Sequence, residues 1–403
     1  MHSYENSPVM PAGLKYLLAF ACCLILANIY YAQPVIADIA AGIGIEASAG
    51  GIIVTMAQIG YCIGVLFLVP LGDMLENKRL ITVLVFCAVG ALLAVGISDN
   101  ATVFLVSMFF VGLFSSAVQI IVPLGVGLAA PHERGRVVGL ILAGAILGIV
   151  LARPIASGMT GLFGWRFMYF LSAGIIAAVG LLLLRRLPVR RPSLSRVSYP
   201  AIFHSMGKLL ASVPGLLPRL FLMAFALTSF TLFWAAAPIV LREALHFSHS
   251  DIALLSLASF AAPPCAIMAG RLVDRGFSFG LTLTSACMIA AAFLVTPVAG
   301  ISTGLFLIAV LLLDPGVHMT NVVVQQSVLS LVPEARSRLN ALSVAFAFTG
   351  GAIGSSLGPW LYSHYGWSAT AYCGAALAAV AFCLSLYLKK RNKEEGIMQV
   401  SQV

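Results

Sequence analysis

A helix must supply about 20 apolar residues to cross about 30 Å of hydrocarbon. This chain supplies twelve such stretches in succession, at residues 14–36, 51–71, 80–98, 102–129, 137–160 and 167–184, then 219–241, 252–271, 279–299, 302–331, 338–361 and 368–388. No water-soluble arrangement hides that much apolar helix. Charged residues make up 9% of the chain, against roughly 25% in a soluble domain. The expected fold class is therefore an all-α membrane protein with 12 transmembrane helices. The first stretch is too long for a secretory signal and is read as a retained first span.

Orientation follows from lysine and arginine. With the N-terminus placed in the cytoplasm, all of the 23 basic residues fall in cytoplasmic segments except Arg153, Arg166 and Arg242. That asymmetry fits both the span count and an inner-membrane protein with cytoplasmic N- and C-termini. It also explains the net charge of +9 without nucleic acid. The eight cysteines lie in apolar runs at no metal or disulfide spacing, so they are read as packing residues, and no metal or cofactor is expected.

The expected domains are an N-terminal six-helix bundle (1–184), a cytoplasmic linker (185–218), a C-terminal six-helix bundle (219–388) and a cytoplasmic tail (389–403). The linker holds Arg185, Arg186, Arg190, Arg191, Arg196 and Lys208 and no acid. Its stretch 201–211 reads either as an amphipathic helix lying on anionic lipid or as a solvated connector.

The halves echo each other. Pro131-x-x-Arg134-x-Arg136 recurs as Pro333-x-x-Arg336-x-Arg338, Gly164-Trp165 as Gly366-Trp367, and Leu71-x-Asp73 as Leu272-x-Asp274. Three matches in one order imply a duplicated six-span unit, and an even span number makes the copies parallel repeats. Small residues recur every four positions at Gly60 and Gly64, Gly144 and Gly148, Ala262, Ala266 and Gly270, and Gly350, Gly354 and Gly358. Such stripes permit close helix approach, and spans two, five, eight and eleven are expected where the halves meet.

Parallel six-plus-six repeats with basic loops after spans two and eight resemble the major facilitator superfamily, over residues 14 to 388. The run Leu71-Gly72-Asp73-Met74-Leu75-Glu76-Asn77-Lys78-Arg79 looks like that family's loop signature, and Gly270-Arg271-Leu272-Val273-Asp274-Arg275 looks like a second copy. Gly144 to Gly158, with Arg153-Pro154, resembles the glycine-proline motif of drug:proton antiporters, although Arg153 stands at a glycine position. Asn28-Ile29-Tyr30-Tyr31-Ala32-Gln33-Pro34 and Leu313-Asp314-Pro315-Gly316 look like a bacterial efflux branch that includes sugar and nucleoside exporters. The resemblance implies a cytoplasmic gate of Asp73, Lys78, Arg79, Arg134 and Arg136 with Asp274, Arg275, Arg336 and Arg338. In that gate the aspartates pair with arginines in one state and release them in the other.

A charge inside a span costs several kcal/mol unless it is paired or hydrated. Asp314 lies about 18 Å into span ten, and His318 and Asn321 follow at helical spacing on the same face. Asp314 is read either as a proton carrier or as a structural group, capping a break at Pro315 or held by a fixed basic partner. Arg153, deep in span five, is read as an ion-pair partner, an anion ligand or a donor to carbonyls freed by Pro154. Asn28, Tyr30, Tyr31, Gln33, Gln58, Tyr61, Gln119, Trp234 and Asn321 are candidate cavity residues for a neutral or amphiphilic solute.

The expected function is secondary active transport by alternating access, as proton-coupled export of a small organic solute or drug. A facilitator or importer of a sugar, nucleoside or organic acid is the alternative. The expected partners are a small-molecule substrate, the proton gradient and membrane lipid, and the chain is expected to be a monomer. No GxxxxGK[ST] loop is present for direct ATP use, and no His-Glu-x-x-His marks an intramembrane enzyme. A sensor with the same fold and no turnover is the third class.

Overall fold

The computed structural model describes residues 11–130, 133–189, 199–298 and 302–400. Pro131 of the repeated motif, Arg190, Arg191 and Arg196 of the linker and the last three residues of the tail lie outside the described residues. Every regular element among the described residues is helical. Spans two to six are Ile52–Phe67 with a 3-10 turn at Val69–Asp73, Asn77–Ile97, Ala101–Ser115 continued by Val118–Leu128, Arg134–Phe163, and Trp165–Arg186. Spans seven to ten are Leu216–Leu245, His249–Asp274 with a 3-10 segment at Leu257–Ala261, Ser278–Val298, and Thr303–Leu329. Spans eleven and twelve run together as Arg336–Val400, broken only at Gly366 (φ 76°).

Span one departs from the continuous helix expected at 14–36. Helix Ala12–Ala27 stops, Gln33–Val35 forms a 3-10 turn, and Ile36–Ile43 resumes. Pro34 offers no N–H and does not fit a helix interior. Tighter bonds from Ile29 N to Leu26 O, Tyr30 N to Ala27 O and Gln33 N to Tyr30 O carry the chain through the break. Asn28 to Gln33, the most polar run of the span, therefore sits on irregular backbone. Irregular backbone is tolerated at membrane depth only when protein or a wet cavity surrounds it.

The chain forms two compact units, residues 1–45 with 56–199, and residues 46–55 with 200–403. The start of span two thus groups with the second unit. There Thr55 donates to the Ala352 carbonyl at 3.1 Å and lies 2.9 Å from Ser355 Oγ and 2.6 Å from Ser356 Oγ.

The repeat seen in the sequence is repeated in local structure. Asn100 caps span four by accepting from Thr102 N and Val103 N, and Ser302 caps span ten by accepting from Leu305 N. Gly164 (φ 81°) and Gly366 (φ 76°) turn the chain between the last two spans of their units. A side chain there would meet the strain that glycine avoids. The tryptophan after each glycine is buried beside the matching phenylalanine: Trp165 lies 5.6 Å from Phe104, and Trp367 4.9 Å from Phe306.

The glycine stripes of spans two, five and eleven serve close contacts inside each unit. A Cβ on Gly60 or Gly64 would strike the Phe109 or Leu113 carbonyl of span four. One on Gly144 or Gly148 would strike Ala19 or Cys23 of span one, and one on Gly350, Gly354 or Gly358 would strike Ala224, Thr228 or Leu232 of span seven. Four-residue spacing reveals that a close partner exists but not which helix it is. Between the two halves runs a helix, Tyr199–Ser212, with Ile202 and Met206 buried. Tyr199 anchors its start by donating to Phe67 O at 2.7 Å. Partial burial pushes the Tyr199 phenol above its ordinary value.

Candidate functional site

In the second unit Asp314 is 0% exposed. Helix Thr303–Leu329 runs unbroken through Pro315, so Asp314 does not cap a break. Its Oδ1 accepts from Trp234 Nε1 of span seven at 2.9 Å, and its backbone oxygen lies 2.8 Å from His318 Nδ1. The indole is set by a cluster of rings. Trp234 stands edge-on to Phe233 at 5.6 Å, and Phe233 meets Phe293, Phe306 and Trp367. Phe230 stands edge-on to His318 at 6.2 Å. One turn beyond His318, the buried Asn321 Oδ1 has no hydrogen-bond partner in the protein.

In the first unit Arg153 is also 0% exposed. Helix Arg134–Phe163 passes through Pro154 without a break and lies against the Gln33–Val35 turn. Gln119 Nε2 donates to Tyr61 OH at 3.0 Å, joining spans four and two. Asn28 is held inside the bundle. Its Oδ1 accepts from Ser172 Oγ at 2.6 Å, and its Nδ2 donates to Leu24 O at 3.1 Å. Gln33 and Gln58 are different. Both are fully buried, and no amide atom of either has a hydrogen-bond partner in the protein. The Tyr169 hydroxyl and Thr160 Oγ1 share that condition. Buried polar groups are nearly always satisfied, and these six atoms of the first unit have no partner within the protein.

The loop charges do not form the expected pairs in this conformation. Asp73, Arg79, Arg134 and Arg136 are exposed and Lys78 is half-buried. Asp274, Arg275 and Arg336 are exposed and Arg338 is half-buried. Among the described residues no ion pair joins Asp73 to Arg134 or Arg136, or Asp274 to Arg336 or Arg338. The first unit instead holds Lys15 Nζ 2.7 Å from Glu133 Oε2, with side chains 15% and 21% exposed. Glu133, Tyr169, Thr160 and Ser172 escaped the sequence reading. A single acid beside Arg134 was the only signal for Glu133, and lone hydroxyls in apolar spans give none.

The sequence matches the family described as Major Facilitator Superfamily over residues 18–313 and again over 219–398. It is 36% identical over 380 residues to the Uncharacterized transporter YgaY of Escherichia coli O157:H7, covering 93% of this chain and 95% of that one. Among solved structures it is similar to a bacterial homolog of the human lysosomal transporter Spinster (TM-score 0.73, 13% identity, 96% of this chain and 98% of that one). It is likewise similar to a D-xylose-proton symporter (TM-score 0.67, 17% identity, 94% and 98%). By that family match and that relative, and with apolar helices long enough to cross a bilayer, the chain belongs to the Major Facilitator Superfamily and is a multi-pass membrane transporter.

Proposed function

We propose that this transporter exports a small organic solute or drug in exchange for protons, by alternating access of its two units, with Asp314 carrying the proton. The observation behind this reading is the complete burial of Asp314 beside the Trp234 indole donor and the His318 ring. A carboxylate there is costly to keep charged and is retained for a task. The indole gives the ionised form one charge-assisted hydrogen bond. His318 and Asn321 continue the polar line along span ten. In the first unit Gln33 and Gln58 offer two donors and two acceptors to hydrogen-bonding groups of the solute, with Tyr30, Tyr31, Tyr61 and Gln119 beside them. The loop residues around Asp73 and Asp274 form the cytoplasmic gate, pairing in the state with that side shut. The Lys/Arg asymmetry supports insertion in the bacterial inner membrane with both termini in the cytoplasm, where the protein works as a monomer.

Purified protein in proteoliposomes with an imposed pH difference tests the coupling. Solute flux should follow the gradient, and Asp314→Asn should keep solute binding while removing the pH dependence. Flux indifferent to the gradient, or unchanged coupling in Asp314→Asn, rejects it. A second reading, a facilitator or importer of an organic acid, draws on the fully buried guanidinium of Arg153. Anion-selective flux without pH dependence favours that reading.

A further inference from the structure

Spans seven and eleven end together in the second unit, on the side away from the basic loops. A cavity of about 440 Å³ opens there, lined by Ile239, Glu243, Pro359, Tyr362, Ser363, His364 and Gly366. That volume lies within the range of small-molecule sites. Glu243 lies nine residues beyond Trp234, about 13.5 Å of helix rise, so this place is distinct from the Asp314 region. We propose that this cavity binds an organic ammonium group.

The lining has the chemistry for it. Glu243 is its one acidic residue, and Tyr362 OH donates to Glu243 Oε2 at 2.6 Å. That bond fixes the carboxylate at the rim while leaving it exposed. Ile239 and Pro359 supply an apolar floor for alkyl groups on nitrogen. His364 is held as a wall: Nδ1 lies 2.9 Å from Trp360 O and 3.0 Å from Ser363 Oγ, and its ring lies 4.9 Å from the Trp360 ring at 30°. Trp360 backs the His364 ring, and the aromatic ring beside the acid is that of Tyr362. A carboxylate with aromatic faces is the recurrent setting for quaternary ammonium ions. The ammonium group belongs either to a soluble solute or to a lipid headgroup, and the test separates the two.

Choline and its uncharged isostere 3,3-dimethylbutanol are titrated calorimetrically into the full protein in phosphatidylglycerol nanodiscs. Choline should bind saturably and at least tenfold more tightly than the isostere. Glu243→Gln should abolish that preference. Ser363→Trp, which fills the cavity and leaves the Glu243–Tyr362 bond in place, should abolish choline binding in protein of unchanged melting temperature. In nanodiscs containing phosphatidylethanolamine, an at least tenfold weaker choline affinity identifies the headgroup as occupant, and an unchanged affinity identifies a soluble solute. Equal binding of choline and isostere, or an unchanged preference in Glu243→Gln, overturns the proposal.

Discussion

The indole nitrogen of Trp234 lies 2.9 Å from the carboxylate of Asp314, joining spans seven and ten at a point closed to solvent. A hydrogen bond to a charged group contributes about 1.5–3 kcal/mol. Trp234→Phe keeps an aromatic ring in the cluster and removes the donor. Solute flux in proteoliposomes should fall about tenfold or more at unchanged expression. Adding Asp314→Asn should cost little beyond the larger single effect, because residues that share one bond are not additive. Full additivity in the flux measurement contradicts this.

Gln33 and Gln58 set stability against use. Each amide is buried without a partner in the protein, a condition that costs about 1–3 kcal/mol per group. Leucine at either position should raise the melting temperature in detergent and lower transport at least tenfold. A variant that is more stable and equally active argues against a solute contact.

Close helix approach predicts a sharp contrast between glycines. A Cβ on Gly148 would run into the Cys23 carbonyl, whereas one on Gly174 meets nothing within 4 Å. Gly148→Ala should destabilise by about 1–3 kcal/mol, the cost of overpacking. Gly174→Ala should be neutral or stabilising by up to about 1 kcal/mol. Thermal melts of the two purified variants give the comparison.

Among the described residues Asp73 has no ion-pair partner, and the gate role proposed for it requires a pairing in another state of the transport cycle. Asp73→Asn should insert and melt like the parent while slowing flux about tenfold or more. Normal flux removes the gate role.

Charge and periodicity made much of this molecule readable in advance. Arg153 and Asp314 stood out because a charge in an apolar run needs a reason, and both are buried. The twelve spans and the Gly-Trp repeat were legible because each is a local pattern. What escaped depends on distant partners. Asn28 reads like a cavity residue until Ser172, far along the chain, is found on its oxygen. The glycine stripes announced contacts without naming span one, four or seven as the surface they meet. The break in span one was written in Pro34, but the apolar helices on either side of the polar run masked the change from helix to turn.

Gly164 and Gly366 also bear on how the protein is made. At each, the chain reverses with almost no hydrophilic loop between two spans. Each pair can therefore enter the bilayer as a ready-formed hairpin whose elbow drags little polar backbone through lipid. The same economy in both copies gives the ribosome two identical insertion problems to solve, one after the other.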